Sequence, residues 1–191
     1  MRTVGWIFGA VTALTACASQ PAAEPVAAPQ AAVDPASPLL AANYLPTAAS
    51  GDQFEIQSSQ LALQMSQNQS VRSFAQILIT DHTTMSNQLM TAAQGAGLTP
   101  PPPMLLPQHQ QMLDSLRAAG PGFEMAFRDA QVAAHQQALD LHQNYAGGGD
   151  VPALRTTAAQ AVPIIQAHLS QAQALPVVAP PPPPAPTSER G

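Results

Sequence analysis

The chain has 191 residues, of which 37 are alanine, 22 glutamine and 21 proline, and it carries a formal charge of −5 with no lysine. So few cations exclude a nucleic-acid binder, because phosphate binding depends on clustered Lys and Arg, and an apolar content of 46% excludes a chain solvated along its whole length. A single cysteine excludes an internal disulfide framework and any multi-Cys metal site.

The N-terminus reads as a targeting signal. Arg2 precedes an apolar stretch, Val4 to Leu14, which rises only about 16 Å as a helix, too little to cross a hydrocarbon core about 30 Å thick. Leu14-Thr15-Ala16-Cys17 follows and resembles the bacterial lipobox, in which the cysteine is lipidated and becomes the first residue of the mature chain. The alternative is an ordinary secretory signal cut after Ala18, where Ala16-Cys17-Ala18 satisfies the small-x-small rule. With Cys17 lipidated, the protein is expected at the membrane, as an outer-membrane lipoprotein facing the periplasm. A Cys17→Ala variant is then expected to leave the membrane fraction; one that still sediments with membranes contradicts lipidation.

Residues 18–46 are Ala/Pro-rich, with Pro21, Pro25, Pro29, Pro35, Pro38 and Pro46 spaced too closely for a helix, and read as a disordered tether. Residues 176–191, with Pro176, Pro180 to Pro184 and Pro186, read as a disordered tail. A docking segment for an envelope protein with an aromatic-lined groove is the second reading of that tail.

Residues 47–175 hold only eight of the 21 prolines and form one domain. Apolar spacing predicts a first helix around Asp52 to Asn68, with Phe54, Leu61 and Met65 on its stripe and Ser50 or Asp52 as cap. A second runs from Ser70 to about Ala96 and presents Val71, Phe74, Ala75, Leu78, His82, Met85 and Leu89, with Gly95 or Gly97 ending it. A short helix, Gln108 to Ala118, sits in the long connection. The third long helix, Pro121 to Tyr145, ends at Gly147-Gly148-Gly149. The fourth opens with Asp150 as cap and Pro152 in its first turn, and carries Leu154, Ala158, Ala161, Ile165, His168 and Leu169, with Pro163 expected to kink it. Strand patterns are absent. The fold class is all-α: a ferritin-like four-helix bundle with a long connection, bearing a short extra helix, between helices 2 and 3.

Among the polar residues, counting from the first helix link puts Glu55 and His82 at one level, and His135 at a matching depth in the third long helix. His168 counts roughly two turns out of level with His135, although near Glu124. The candidate metal-ligating set is therefore Glu55, His82, Glu124, His135 and His168, suited to a divalent transition metal held by imidazoles and a carboxylate. A carboxylate-bridged di-iron site needs Glu-x-x-His on two helices, and no acid here is followed by His three residues later. No nucleophile elbow or phosphate-cradling glycine loop is present, so no catalytic residue is assigned.

Asp81-His82-Thr83, Phe123-Glu124 with Phe127, Gln131-Val132-Ala133-Ala134-His135-Gln136, and Val162-Pro163 with His168-Leu169 resemble the bacterial exported family known as domain of unknown function 4142. The resemblance covers roughly Asp52 to Leu175 and implies a ferritin-like bundle and an exported or outer-membrane address without a defined activity. Phe123-Glu124 replaces the family's usual Phe-Asp, and Val162-Pro163 its Leu-Pro.

Two functions follow from this reading. The first is a membrane-anchored, non-enzymatic envelope protein that binds a partner or contributes to stress tolerance. The second is a metal-binding, redox-capable bundle using the inward His and Glu residues.

Overall fold

The computed structural model describes residues 34–178. The signal with Cys17, the tether up to residue 33 and the tail from residue 179 lie outside the described residues. Among the described residues the secondary structure is entirely helical: α1 (Ala41–Met65), α2 (Gln69–Gly95), α3 (Pro107–Arg117), a 3-10 turn (Gly120–Gly122), α4 (Phe123–Gly148) and α5 (Pro152–Gln173). α1 pairs with α2 and α4 with α5, each across a short link; α2 packs on α5 and α1 on α4, which closes a four-helix bundle, while α3 lies against α1 and α4.

α2 follows its apolar spacing closely, burying Val71, Phe74, Ala75, Leu78, His82, Met85, Leu89 and Ala93. It starts where the Asn68 side chain accepts from the Ser70 N–H, and stops at a glycine cap. Gly97 has φ +74° and the Leu98 N–H returns to the Ala93 carbonyl, a geometry a Cβ would oppose.

α1 departs from expectation at its start, because it begins at Ala41 rather than near Asp52 and contains Pro46. Local propensity is overridden by packing: Tyr44 and Leu45 are buried, and the Tyr44 ring stacks on Tyr145 with centroids 3.7 Å apart. Burial of both side chains together with the stacking offsets the helical hydrogen bond that Pro46 removes. The tether expected to run to Pro46 is thus replaced by fixed structure from Asp34, with the Asn43 side-chain amide donating to the carbonyls of Pro35 and Ser37. At the other end the Asn68 amide donates to the Pro176 carbonyl, so the first residues of the expected tail also lie on the bundle.

The caps differ too. Ser50 and Asp52 are buried inside α1 rather than capping it. Asp150 caps not α5 but α1: its Oδ1 accepts from the Ala41 N–H at 2.8 Å and from the Tyr145 hydroxyl at 2.8 Å. A carboxylate at a helix N-terminus contributes about 1 kcal/mol, and here it fastens the start of α1 to the α4–α5 link. α4 runs through Gly147 and Gly148, and the link turns at Gly149, where an added Cβ would sit 2.5 Å from the Tyr145 ring. α5 continues through Pro163 as one helix.

The core divides along the bundle axis. Phe54, Phe74, Leu78, Leu113, Leu116, Phe123 and Phe127 fill one apolar cluster, Tyr44, Leu45, Leu89, Tyr145 and Leu154 a second, and Met85, Leu139, Ala161, Ile165 and Leu169 a smaller third along α2, α4 and α5. Between the first two lies a layer of buried polar residues.

Candidate metal centre

Each long helix contributes to that polar layer. α1 supplies Asp52 and Glu55, α2 His82, α4 Gln131 and His135, and α5 His168, all buried. The three imidazoles pack as a triangle, with ring centroids 5.5 Å apart for His82 and His135, 5.4 Å for His82 and His168, and 5.4 Å for His135 and His168. One ring nitrogen from each lies within 4.8 Å of the others. A common ion at about 2.1 Å from three nitrogens needs them about 3.4 Å apart, a closure within the reach of small side-chain rotations.

The hydrogen bonds decide which nitrogen is available. His135 Nδ1 lies 2.8 Å from the Gln131 carbonyl, which can only accept, so Nδ1 carries the proton and Nε2 presents a lone pair. His82 Nδ1 is held by Asp52 Oδ1 at 2.9 Å, and His168 Nε2 by Asp81 Oδ2 at 2.9 Å. The remaining nitrogens, His82 Nε2, His135 Nε2 and His168 Nδ1, are buried without a hydrogen-bond partner, as is Glu55 Oε2. An unpaired buried polar atom costs about 1–3 kcal/mol. Several such atoms concentrated in one layer, each ring oriented through its other nitrogen, form the arrangement in which a metal is held by imidazoles that carboxylates and carbonyls orient.

Burial keeps the site uncharged. The His82 and His135 imidazoles are pushed down to about 3, by desolvation first and then by neighbouring histidines. Desolvation raises Asp52 to about 7 and Glu55 well above the usual carboxylate range. The Asp52–His82 contact is therefore a hydrogen bond between groups that resist charge rather than a formed ion pair. Glu55 Oε1 lies 3.7 Å from His135 Nδ1, too far for a hydrogen bond.

These shifts give the metal-free protein a characteristic pH response. His82, His135 and His142, the last lowered to about 4, are neutral in the fold where the unfolded chain is protonated, so stability rises with pH up to about 6.5 and is lost in acid. Asp52 and Glu55 act oppositely, since the fold retains protons that the unfolded chain has released, and stability falls as pH rises from about 4 through 7 and beyond. Three imidazoles outweigh two carboxyls below pH 6.5, and above it only the carboxyl contribution changes. Urea midpoints of metal-free protein are expected to peak between about pH 6 and 7 and to decline above; a rise continuing through pH 8 would contradict these assignments.

The structure places Glu55, His82, His135 and His168 together and leaves Glu124 out. Glu124 sits at the α1–α2 link, accepting from the Ser66 hydroxyl at 2.6 Å and the Asn68 amide at 3.3 Å. His168 corrects the expected two-turn offset. With the link centred on Asp150, His135 lies 15 residues before it and His168 18 after it, about 4.5 Å along the axis. Side chains tilt toward their own helix N-terminus, away from the link in α4 and toward it in α5, which closes that gap. Asp52, expected as a cap, is instead the carboxylate that orients His82. Its spacing of three from Glu55 on one helix face was the available signal.

Beside the triangle lies a cavity of about 210 Å³ to which all five helices contribute, lined in part by Asp52, Glu55, His82, His135 and His142. The His142 ring is fixed by Tyr44, whose hydroxyl lies 3.0 Å from Nδ1.

The family model described as Domain of unknown function (DUF4142) matches residues 23–175. The chain belongs to the DUF4142 family. Among solved structures, this DUF4142 chain is similar to CopM in the Cu(II)-bound form, with a TM-score of 0.61 and 21% identity over 71% of this chain and 94% of that one. That likeness shows a shared helical-bundle fold. No curated protein matches the chain. No described helix is long and apolar enough to cross a membrane.

Proposed function

We propose that this DUF4142 bundle binds a single transition-metal ion, copper foremost, through His82 Nε2, His135 Nε2 and His168 Nδ1, with Glu55 as the adjacent carboxylate. The observation that carries this reading is the set of three buried imidazole nitrogens without hydrogen-bond partners, contributed by three different helices. Neutral imidazole suits copper and zinc, and divalent copper stands highest in the usual affinity order. The Cu(II)-bound state named for CopM supports copper as the first metal to test.

In the same reading the chain is exported and tethered at Cys17, so the bundle would take up metal outside the cytoplasm, as a binding or stress-protection protein rather than an enzyme. The low pKa of the imidazoles supports metal binding at mildly acidic pH, because protons do not compete for the lone pairs until well below 6.5.

The test is metal analysis and calorimetry on protein purified without a histidine tag. Near-stoichiometric copper is expected, together with a rise in melting temperature that a chelator reverses. At a hundredfold excess of free ion over Kd the stabilisation is about 2.7 kcal/mol. Substoichiometric copper and zinc, with melting unchanged by chelation, would remove the reading.

A further inference from the structure

An ion bound for His82, His135 and His168 must first reach them. Their free nitrogens, His82 Nε2, His135 Nε2 and His168 Nδ1, are shut inside the protein, and no more than 2% of any of the three residues is exposed. The cavity of about 210 Å³ comes up against His82 and His135, and its wall also includes Gln108 on α3 and Gln137 on α4, both exposed. It therefore leads from solvent to two of the three imidazoles. At about 30 Å³ per water, it has room for an ion that still carries several waters.

Two further histidines line this cavity, His109 on α3 and His142 on α4. They keep 6% and 7% of their surface exposed. Among the described residues neither Nε2 has a hydrogen-bond partner, and neither is shut off as the free nitrogens of the other three histidines are. Their Nδ1 partners also differ in kind. His82 and His168 are held by Asp side chains and His135 by a helix carbonyl, the groups that orient lasting metal ligands. His109 Nδ1 lies 2.6 Å from the Ser50 hydroxyl, which also accepts from the Leu106 N–H, and His142 Nδ1 lies 3.0 Å from the Tyr44 hydroxyl. A hydroxyl both donates and accepts, so either ring can shift its proton to Nδ1 and present a lone pair at Nε2, then reverse, without losing that hydrogen bond. Such imidazoles suit an ion in passing.

We propose that the cavity is the entry channel of the metal site and that His109 and His142 are transient ligands. They take up a partly hydrated transition-metal ion through Nε2 and pass it to His82 and His135, and His168, which does not line the channel, is met last. The proposal rests on the metal-binding reading above. The last step coincides with the side-chain rotations that draw the three rings, now 5.4–5.5 Å apart between centroids, onto one ion.

Rates test this, because a residue that touches the ion only in transit changes uptake and release together and leaves the equilibrium alone. Copper(II) is mixed with the metal-free full chain, and at successive delays a brief exposure to EDTA removes the ions not yet enclosed; release is followed over a longer exposure. In His109→Asn and His142→Asn the side-chain amide takes the place of Nδ1 beside Ser50 or Tyr44 and offers no Nε2. Each is expected to slow uptake and release by about tenfold, with one copper per chain and the parental Kd. Ala138→Phe, which narrows the cavity and leaves every histidine in place, is expected to do the same, and it decides the matter should an asparagine variant fail to fold. Parental uptake rates in these variants would overturn the proposal. So would a weaker Kd arising from faster release alone, which would make His109 or His142 a permanent ligand. Failure of the metal-binding reading shows separately, as an unaltered chain without stoichiometric copper, and the channel then falls with it.

Discussion

Replacing His135 with leucine is expected to abolish stoichiometric copper binding and, in the metal-free protein, to raise the melting temperature. The two effects have one cause. His135 is buried, its Nε2 has no partner, and its only hydrogen bond, from Nδ1, goes to the carbonyl of Gln131, which already serves the helix. Leucine has similar bulk and no polar atom, so the orphaned nitrogen is removed without opening a cavity, a gain of about 1–2 kcal/mol. For a domain of this size that is about 3–6 °C. The sign is what matters. If the histidines were a structural polar network, deleting one would strand its partners and lower stability; if they await a metal, deletion relieves the metal-free fold. A His135→Leu protein that melts below the parent, with both metal-free, would favour the structural network.

Asp52→Ala carries the second large effect, because Asp52 touches the metal only through His82. The carboxyl holds His82 Nδ1 at 2.9 Å and so directs Nε2 toward the other imidazoles. Removing such an orienting group typically lowers metal affinity about 10- to 100-fold, or about 1.4–2.7 kcal/mol. Asp52→Asn, whose amide oxygen can still accept from Nδ1–H, is expected to lose less. Glu124→Ala is the matched control: its carboxylate is engaged at the α1–α2 link, and copper affinity should be unchanged. Competition titration with a chromophoric chelator measures all three, and equal affinities for Asp52→Ala and the parent would contradict the orienting role.

The comparison of sequence with structure turns on where burial is apolar. α2 was legible almost residue by residue, since its inward face from Val71 to Leu89 is hydrophobic except at His82. α1 was not. Phe54, Leu61 and Met65 suggested its stripe, yet Met65 is 47% exposed while Asp52, Glu55, Ser58 and Ser59 are buried. Apolar periodicity cannot find a face whose buried residues are polar, and such a face is itself the mark of a site. The start of α1 was hidden for a different reason: Pro46 argued against a helix locally, and only the distant Tyr145 ring and Asp150 carboxylate stabilise one there.

Residue types and approximate level put Glu55, His82 and His135 at one depth, and the structure has all three in the buried polar layer. His168 counts two turns off when the glycine run is taken as the link, whereas α4 continues through Gly148 and the link centres on Asp150; the opposed tilt of side chains in antiparallel helices closes the remaining gap. Glu124 was included because level alone does not reveal which carboxylates are already engaged. Which ring nitrogen stays without a partner cannot be read from sequence, since it depends on which one each neighbouring group occupies.

The central claim, that His82, His135 and His168 jointly hold one metal ion, is tested most directly by anomalous diffraction at the copper edge from crystals of the copper-loaded protein. The account predicts one strong peak at about 2 Å from His82 Nε2, His135 Nε2 and His168 Nδ1. A peak at His109 or on the surface, with the three imidazoles still about 5.4–5.5 Å apart and unligated, would contradict it.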